Sequence, residues 1–342
     1  AGSNEGFTVD YDLPNEQAYC ETCASVGMVF WNQRMNSLTG HAEYMDVLER
    51  SLYNGALDGL SLSGDRFFYG NPLASTGKHS RKEWFGTACC PSNIARLISS
   101  LGNYIYGQNG NDIYVNLFVS SKTSFTLSNG KLSMELNTGY PWNGNVQIKI
   151  QTENKQQGSL HFRIPGWSKN IPSPGNLYQF VDSASVQPKL LINGSPVEYQ
   201  EINGYARIER TWKDGDVVVF QLPMEIKKVV ARPELKQNIS RTTLQRGPLV
   251  YCVEGIDNGG NAWNIISPLD SKFKTESFSI LDEHIESLVG ELPVLEVSNQ
   301  GNGVSVQNKK VRAIPYYTWC NRGSNSMQVW LPTQIKEVKI NY

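Results

Sequence analysis

Charge is in short supply in this chain, and neither sign dominates. Of 342 residues only 18% are charged, and 31 basic against 32 acidic residues leave a formal net charge of −1. A broad nucleic-acid surface would show an excess of Lys and Arg, so the balance argues against that class. No apolar run approaches the roughly 18 residues that a membrane-spanning helix requires. Disordered chains are charge-rich and poor in aromatics, whereas aromatics here reach 11%. Six cysteines in a chain this long are too few for a disulfide scaffold. The four histidines, His41, His79, His161 and His284, are scattered, with no pair at metal-binding helical spacing. There is no G-x-S-x-G elbow, Walker loop or G-x-G-x-x-G fingerprint. Ala1 to Asp10 has neither the basic nor the apolar region of a secretory signal peptide.

What is present divides the chain by period. Residues 1–108 read as helical. One helix is expected over Gln17–Leu38 with Gly40 as its C-cap, and a second over Ala42–Leu60 with an Asp46–Arg50 pair at i,i+4. A third follows Pro91, where Ile94, Leu97, Ile98, Leu101, Tyr104 and Ile105 recur at three and four residues. Pro91 suits the first helical position, which would make Cys90 the N-cap. Beyond residue 108 short strands alternate with turn signals such as Asn129-Gly130 and Asp214-Gly215, a spacing typical of antiparallel sandwiches. A boundary near Leu222-Pro223 divides this part into 109–222 and 223–342, and only Asp282–Leu288 reads as helical there. The expected class is α+β multidomain, with helices followed by two antiparallel β-sandwich domains.

Chemistry concentrates in the first part. Four cysteines form two close pairs, Cys20/Cys23 and Cys89/Cys90. At a helix start, unpaired N–H groups and the helix dipole stabilise a thiolate. Glu21 beside Cys23 adds a second kind of zinc ligand. Residues i and i+2 point roughly 200° apart on an ideal helix, so both reach one metal only at an irregular helix start. Two ligand sets stay open: Glu21 with three cysteines, or Cys20, Cys23, Cys89 and Cys90. Tyr69, Trp84 and Phe85 lie in an irregular stretch before Cys89, where aromatic rings suit either sugar stacking or core packing.

Several segments together resemble the zinc-dependent β-L-arabinofuranosidases of glycoside hydrolase family 127. They are Glu5-Gly6-Phe7-Thr8, Asp10-Tyr11-Asp12-Leu13-Pro14-Asn15, Tyr19-Cys20-Glu21-Thr22-Cys23-Ala24-Ser25 and Trp84-Phe85-Gly86-Thr87-Ala88-Cys89-Cys90-Pro91-Ser92-Asn93. Phe162-Arg163-Ile164-Pro165-Gly166-Trp167, Gln245-Arg246-Gly247-Pro248-Leu249-Val250-Tyr251, Trp319 and Asn321-Arg322-Gly323 agree. The resemblance implies a retaining glycosidase with Zn2+ held by Glu21, Cys23, Cys89 and Cys90. It implies Cys89 as nucleophile, Glu5 as acid/base, and Glu49 and Tyr69 as sugar contacts. Cys20 stands where a small residue is often found, which keeps an exchange with Glu21 open. The substrate implied is a plant-type oligosaccharide or glycoconjugate. The family carries an (α/α)6 barrel before its sandwiches, and the helices here are far too few to close one. The chain is therefore expected to begin part-way through that domain, completed by an earlier segment or by another chain. The competing expectations are a non-catalytic carbohydrate-binding or structural β-sandwich protein, and a four-cysteine zinc module for assembly. A coordinated thiolate is compatible with the cytoplasm or a protected periplasmic site of a carbohydrate-degrading bacterium.

Overall fold

A computed structural model describes residue 6 and residues 8–182, 186–297 and 303–338. The architecture is mostly β, with three α-helices near the start. Helix α1 spans Thr22–Thr39, α2 spans Ala42–Arg50 and α3 spans Cys89–Ser100. Val26 and Val29 of α1, Met45 and Leu48 of α2, and Ile94 and Leu97 of α3 bury into one core. Gly40 ends α1 as expected: at φ 72° it takes the left-handed conformation, and its N–H bonds the Asn36 carbonyl. No helix among the described residues is long and apolar enough to cross a membrane.

Three local expectations need correction. Helix α1 begins at Thr22 rather than Gln17, because Asn71 N–H and Thr22 N–H bond the Cys20 and Tyr69 carbonyls and hold residues 20–22 against the 69–71 stretch. Helix α3 begins at Cys89, with Ala88 as N-cap and Pro91 third, where proline still deprives the helix of no intrahelical N–H bond. The Asp46–Arg50 pair gives way to tertiary partners. Asp46 accepts from Arg163 Nη1 at 2.6 Å and from Gly166 N–H at 3.1 Å. Arg50 donates to the Pro172 carbonyl at 2.9 Å and to Gln245 Oε1 at 3.2 Å.

Between Tyr106 and Gln221 two sheets face each other across one apolar core. One sheet is six-stranded and carries Ser121–Leu127, Gly130–Thr138 and Asn145–Gln151; the other is five-stranded and carries Asp112–Val115, Gln156–Arg163 and Tyr205–Trp212. Their inward positions, among them Leu132, Ile148, Phe162, Trp212 and Phe220, form a single cluster. The alternating burial of Asn145–Gln151 is the period-two pattern of such a layer.

In the last part the strands join a branched ten-stranded ladder, to which two strands from earlier in the chain contribute, with an apolar core on each side of its central strands. Along Leu249–Glu254, Val250 and Cys252 enter one cluster while Leu249, Tyr251 and Val253 enter the other. A strand buried on both faces shows no polar alternation, so its sequence does not reveal which layers cover it. Asp282–Leu288 is not helical: Glu283–Val297 is a strand paired on both sides, with Lys274–Ile280 and Val304–Pro315. Those two ladders and the burial of Ile285, Leu288 and Val289 override the local helix pattern. Two strands also cross the expected boundaries. Tyr178–Phe180 pairs with Ile226–Ala231, and Ala74–Thr76 pairs with Ser326–Gln328.

Candidate metal centre and active site

Two helix starts converge on one spot. Glu21 is the N-cap of α1, with an extended backbone at φ −65° and ψ 137°. It forms a bridge with Gly70, and Thr22 Oγ1 donates to the Phe68 carbonyl at 2.8 Å. Because Glu21 lies outside the helix, its side chain escapes the 200° divergence that an ideal helix would impose on i and i+2. Cys23 is the second residue of α1, and Cys89 and Cys90 are the first two of α3. Packing of Val26 and Val29 near Ile94 and Leu97 sets the two starts side by side.

Ligand atoms of Glu21, Cys23, Cys89 and Cys90 all lie within 4.8 Å of one another. The Cys23 and Cys90 sulfurs are 3.4 Å apart and those of Cys89 and Cys90 3.8 Å. Glu21 Oε1 is 3.6 Å from Cys89 Sγ and 3.9 Å from Cys90 Sγ. A tetrahedral zinc with sulfurs at about 2.3 Å spaces its ligand atoms about 3.8 Å apart, so this donor set has the shape and chemistry of a metal cage. All six cysteines are free thiols. Burial pushes the Cys23 thiol up to about 11, and burial with the neighbouring Cys23 raises that of Cys90. The positive ends of two helices and the Asn93 amide favour the thiolate form of these sulfurs, but burial outweighs them. Asn93 Nδ2 donates to Cys23 Sγ at 3.2 Å.

The four-cysteine alternative is not assembled. Cys20 is exposed and lies outside the cluster, with its carbonyl held by Asn71. Within the cluster accessibility differs: Cys90 is fully buried, whereas Cys89 and Cys23 are half-buried. Tyr69 lies beside the cage. Its hydroxyl bonds that of Tyr19 at 2.8 Å, its ring meets Phe85 edge-on, and its carbonyl receives Thr22 N–H. That hydrogen bond, then burial and the Glu21 charge, raise the Tyr69 phenol. Trp84 is 63% exposed and Phe67 meets it edge-on, so an open aromatic surface flanks this side.

Glu49 is placed elsewhere. It is 1% exposed, and its carboxylate receives Arg163 Nη2 at 2.5 Å, the Tyr140 hydroxyl at 2.7 Å and Trp167 Nε1 at 3.3 Å. Both oxygens thus have partners inside the protein, Oε1 in Arg163 and Tyr140 and Oε2 in Trp167. Glu5 lies outside the described residues. The residue that sequence reading left without a role is Asn93. Its signal was spacing: on α3 it lies three residues beyond Cys90 and four beyond Cys89, on the same helical face.

Comparison with known proteins agrees along the whole chain. Residues 1–103 match the model described as "Beta-L-arabinofuranosidase, GH127 catalytic domain", 112–224 its middle domain, and 226–332 the family's C-terminal domain. A non-reducing end β-L-arabinofuranosidase of Bifidobacterium longum subsp. longum is 31% identical over 357 residues, covering 95% of this chain and 51% of that protein. A solved GH127 β-arabinofuranosidase superimposes with a TM-score of 0.93 at 41% identity, covering 97% of this chain and 52% of the other. The GH127 β-L-arabinofuranosidase of Geobacillus stearothermophilus gives 0.87 at 36% identity, covering 97% and 53%. The chain thus spans about half the length of the relatives it matches.

Proposed function

The chain belongs to glycoside hydrolase family 127, and from that premise we propose that it carries the zinc and nucleophile half of a retaining β-L-arabinofuranosidase. The observation that carries this reading is the Glu21/Cys23/Cys89/Cys90 cage at two converging helix starts. Glu21, Cys23, Cys89 and Cys90 would hold the ion. Zinc bound there would keep the thiols deprotonated at neutral pH.

Cys89 is the nucleophile in this reading, because it is more accessible than buried Cys90 and is not the sulfur that Asn93 holds. Its sulfur attacks the anomeric carbon and forms a glycosyl-thioether as the glycosidic C–O bond breaks. Glu5 donates a proton to the leaving oxygen. As a carboxylate it then takes a proton from the water that displaces Cys89, and the two inversions give net retention. Tyr69 and the neighbouring aromatic residues line the sugar's approach. The three helices lie in the segment that matches the GH127 catalytic domain. Met28 and Trp31 on α1 and Ile98 on α3, 45%, 63% and 46% exposed, are the apolar surface that further helices would cover.

Elemental analysis tests the cage directly. About one zinc per chain is expected, falling to a small fraction of that in Glu21→Gln and Cys90→Ala. Zinc content unchanged in both variants would sink the ligand assignment. Asn93→Ala keeps the four ligands and loses only their hydrogen-bonded support. It is expected to weaken zinc by about 10- to 100-fold in a chelator competition.

A further inference from the structure

One cleft lies away from the cage. It has a volume of about 510 Å3 and runs between the C-terminal end of α1 and the five-stranded sheet. That volume is within the about 300–1,000 Å3 of small-ligand sites. Its nearest helical residues start at Gln33, whereas Cys23 lies at the other end of α1. At 1.5 Å per residue, Ser37 is about 20 Å along the helix from Cys23.

The lining is chemically one-sided. Among the described residues it contains five asparagines, two glutamines and three tyrosines, and no Asp, Glu, Lys or Arg. An amide side chain offers both a donor and an acceptor, as a sugar hydroxyl does, and tyrosine adds an apolar ring face. Anionic ligands are normally met by Arg or Lys, which this lining lacks. His161 does not restore a charge, because burial pushes its pKa down from the usual imidazole value.

The floor is preset. Asn36 Nδ2 donates to the Tyr205 hydroxyl at 2.9 Å, and that hydroxyl donates to Asn116 Oδ1 at 2.7 Å. With Asn36 and Asn116 nearly buried and bonded in this way, the floor needs no reorganisation to receive a ligand. Asn103 and Asn109 at the rim are exposed.

We propose that this cleft is a second, non-catalytic site that binds neutral saccharide units of a glycan. The proposed glycosidase function guides only the choice of probe. The test is calorimetric titration of the full chain, in a Cys89→Ser background that prevents turnover, with a neutral arabinan-derived tetrasaccharide. A tetragalacturonide serves as the charged control. Ser37→Trp fills the cleft from an exposed position, and Asn103→Ala removes a rim amide. Each is expected to remove one binding equivalent per chain or weaken it at least tenfold, with zinc content and melting temperature unchanged. The charged control is expected to bind at least tenfold more weakly. Unchanged titrations in both variants, equal binding of the charged control, or no heat up to 10 mM sugar at about 1 mM resolution would each overturn the proposal. Loss of hydrolysis with cleft binding intact bears on the catalytic reading alone.

Discussion

Replacement of Cys89 by serine is expected to lower hydrolysis of a β-L-arabinofuranoside by about 10^4-fold or more in zinc-saturated protein. Burial pushes the Cys23 and Cys90 thiols up, away from the thiolate form. A divalent ion held by all three sulfurs would favour the thiolate at each, so charge alone does not pick the nucleophile. Access does: Cys90 is fully buried, and Cys23 accepts the Asn93 amide at 3.2 Å. A serine hydroxyl at position 89 is a poor nucleophile and a poor zinc ligand, so the assay is run at saturating zinc. Cys23→Ser, by contrast, is expected to act mainly through zinc affinity, with activity recovering as zinc is raised. The measurement is kcat against zinc concentration for both variants. Activity of Cys89→Ser restored by zinc, or a Cys23→Ser enzyme dead at full occupancy, would move the nucleophile to Cys23.

Much of this site was legible in the residues, but for unequal reasons. The Cys89-Cys90 step at a helix start and the Glu21–Cys23 segment were visible, and the resemblance joined them. Spacing alone argued against Glu21 and Cys23 sharing a metal, and the resolution lies in a backbone detail: Glu21 is an extended N-cap, outside the helix whose geometry posed the objection. Cys20 looked equally eligible in sequence, and its exclusion depends on the contact between residues 20–22 and the 69–71 stretch, which no local pattern encodes. The two-sheet core of the middle segment follows from alternation along strands such as Asn145–Gln151. The layering of the last part does not, because a strand buried on both faces looks alike whichever layers cover it. Glu49 has a partner that no local pattern encodes. Its carboxylate meets Arg163, 114 residues away, and only the folded chain shows that this partner exists.

Arg163 carries the second large prediction: Arg163→Met is expected to destabilise the protein by about 3–5 kcal/mol near pH 8. The side chain is 0% exposed and sits at the end of the Gln156–Arg163 strand. Its Nε donates to the Asn116 carbonyl at 2.7 Å, Nη1 to Asp46 at 2.6 Å and Nη2 to Glu49 at 2.5 Å. Asp46 and Glu49 lie three residues apart on α2, so one guanidinium fastens the helical segment to the five-stranded sheet. Methionine keeps much of the volume but leaves the buried Glu49 and half-buried Asp46 carboxylates with no cation between them, and an unpaired buried charge costs far more than a lost surface pair. Lys310→Ala makes the contrast: its bond to Glu276 is largely exposed and screened by solvent, and its loss is expected to leave the urea midpoint nearly unchanged. The pH dependence has a definite sign. Burial pushes the Asp46 carboxyl up to about 6 even against the Arg163 charge. A carboxyl whose folded pKa lies above its unfolded value favours the fold at low pH and loses that contribution as pH rises through the folded pKa. Without Arg163 that pKa rises further, so the deficit of the variant is expected to be larger at pH 8 than at pH 5. Urea melts of parent and variant at both pH values measure it. A deficit under about 1 kcal/mol at pH 8, or one that grows on acidification, would mean that the helical segment is held to the sheet by packing rather than by this guanidinium.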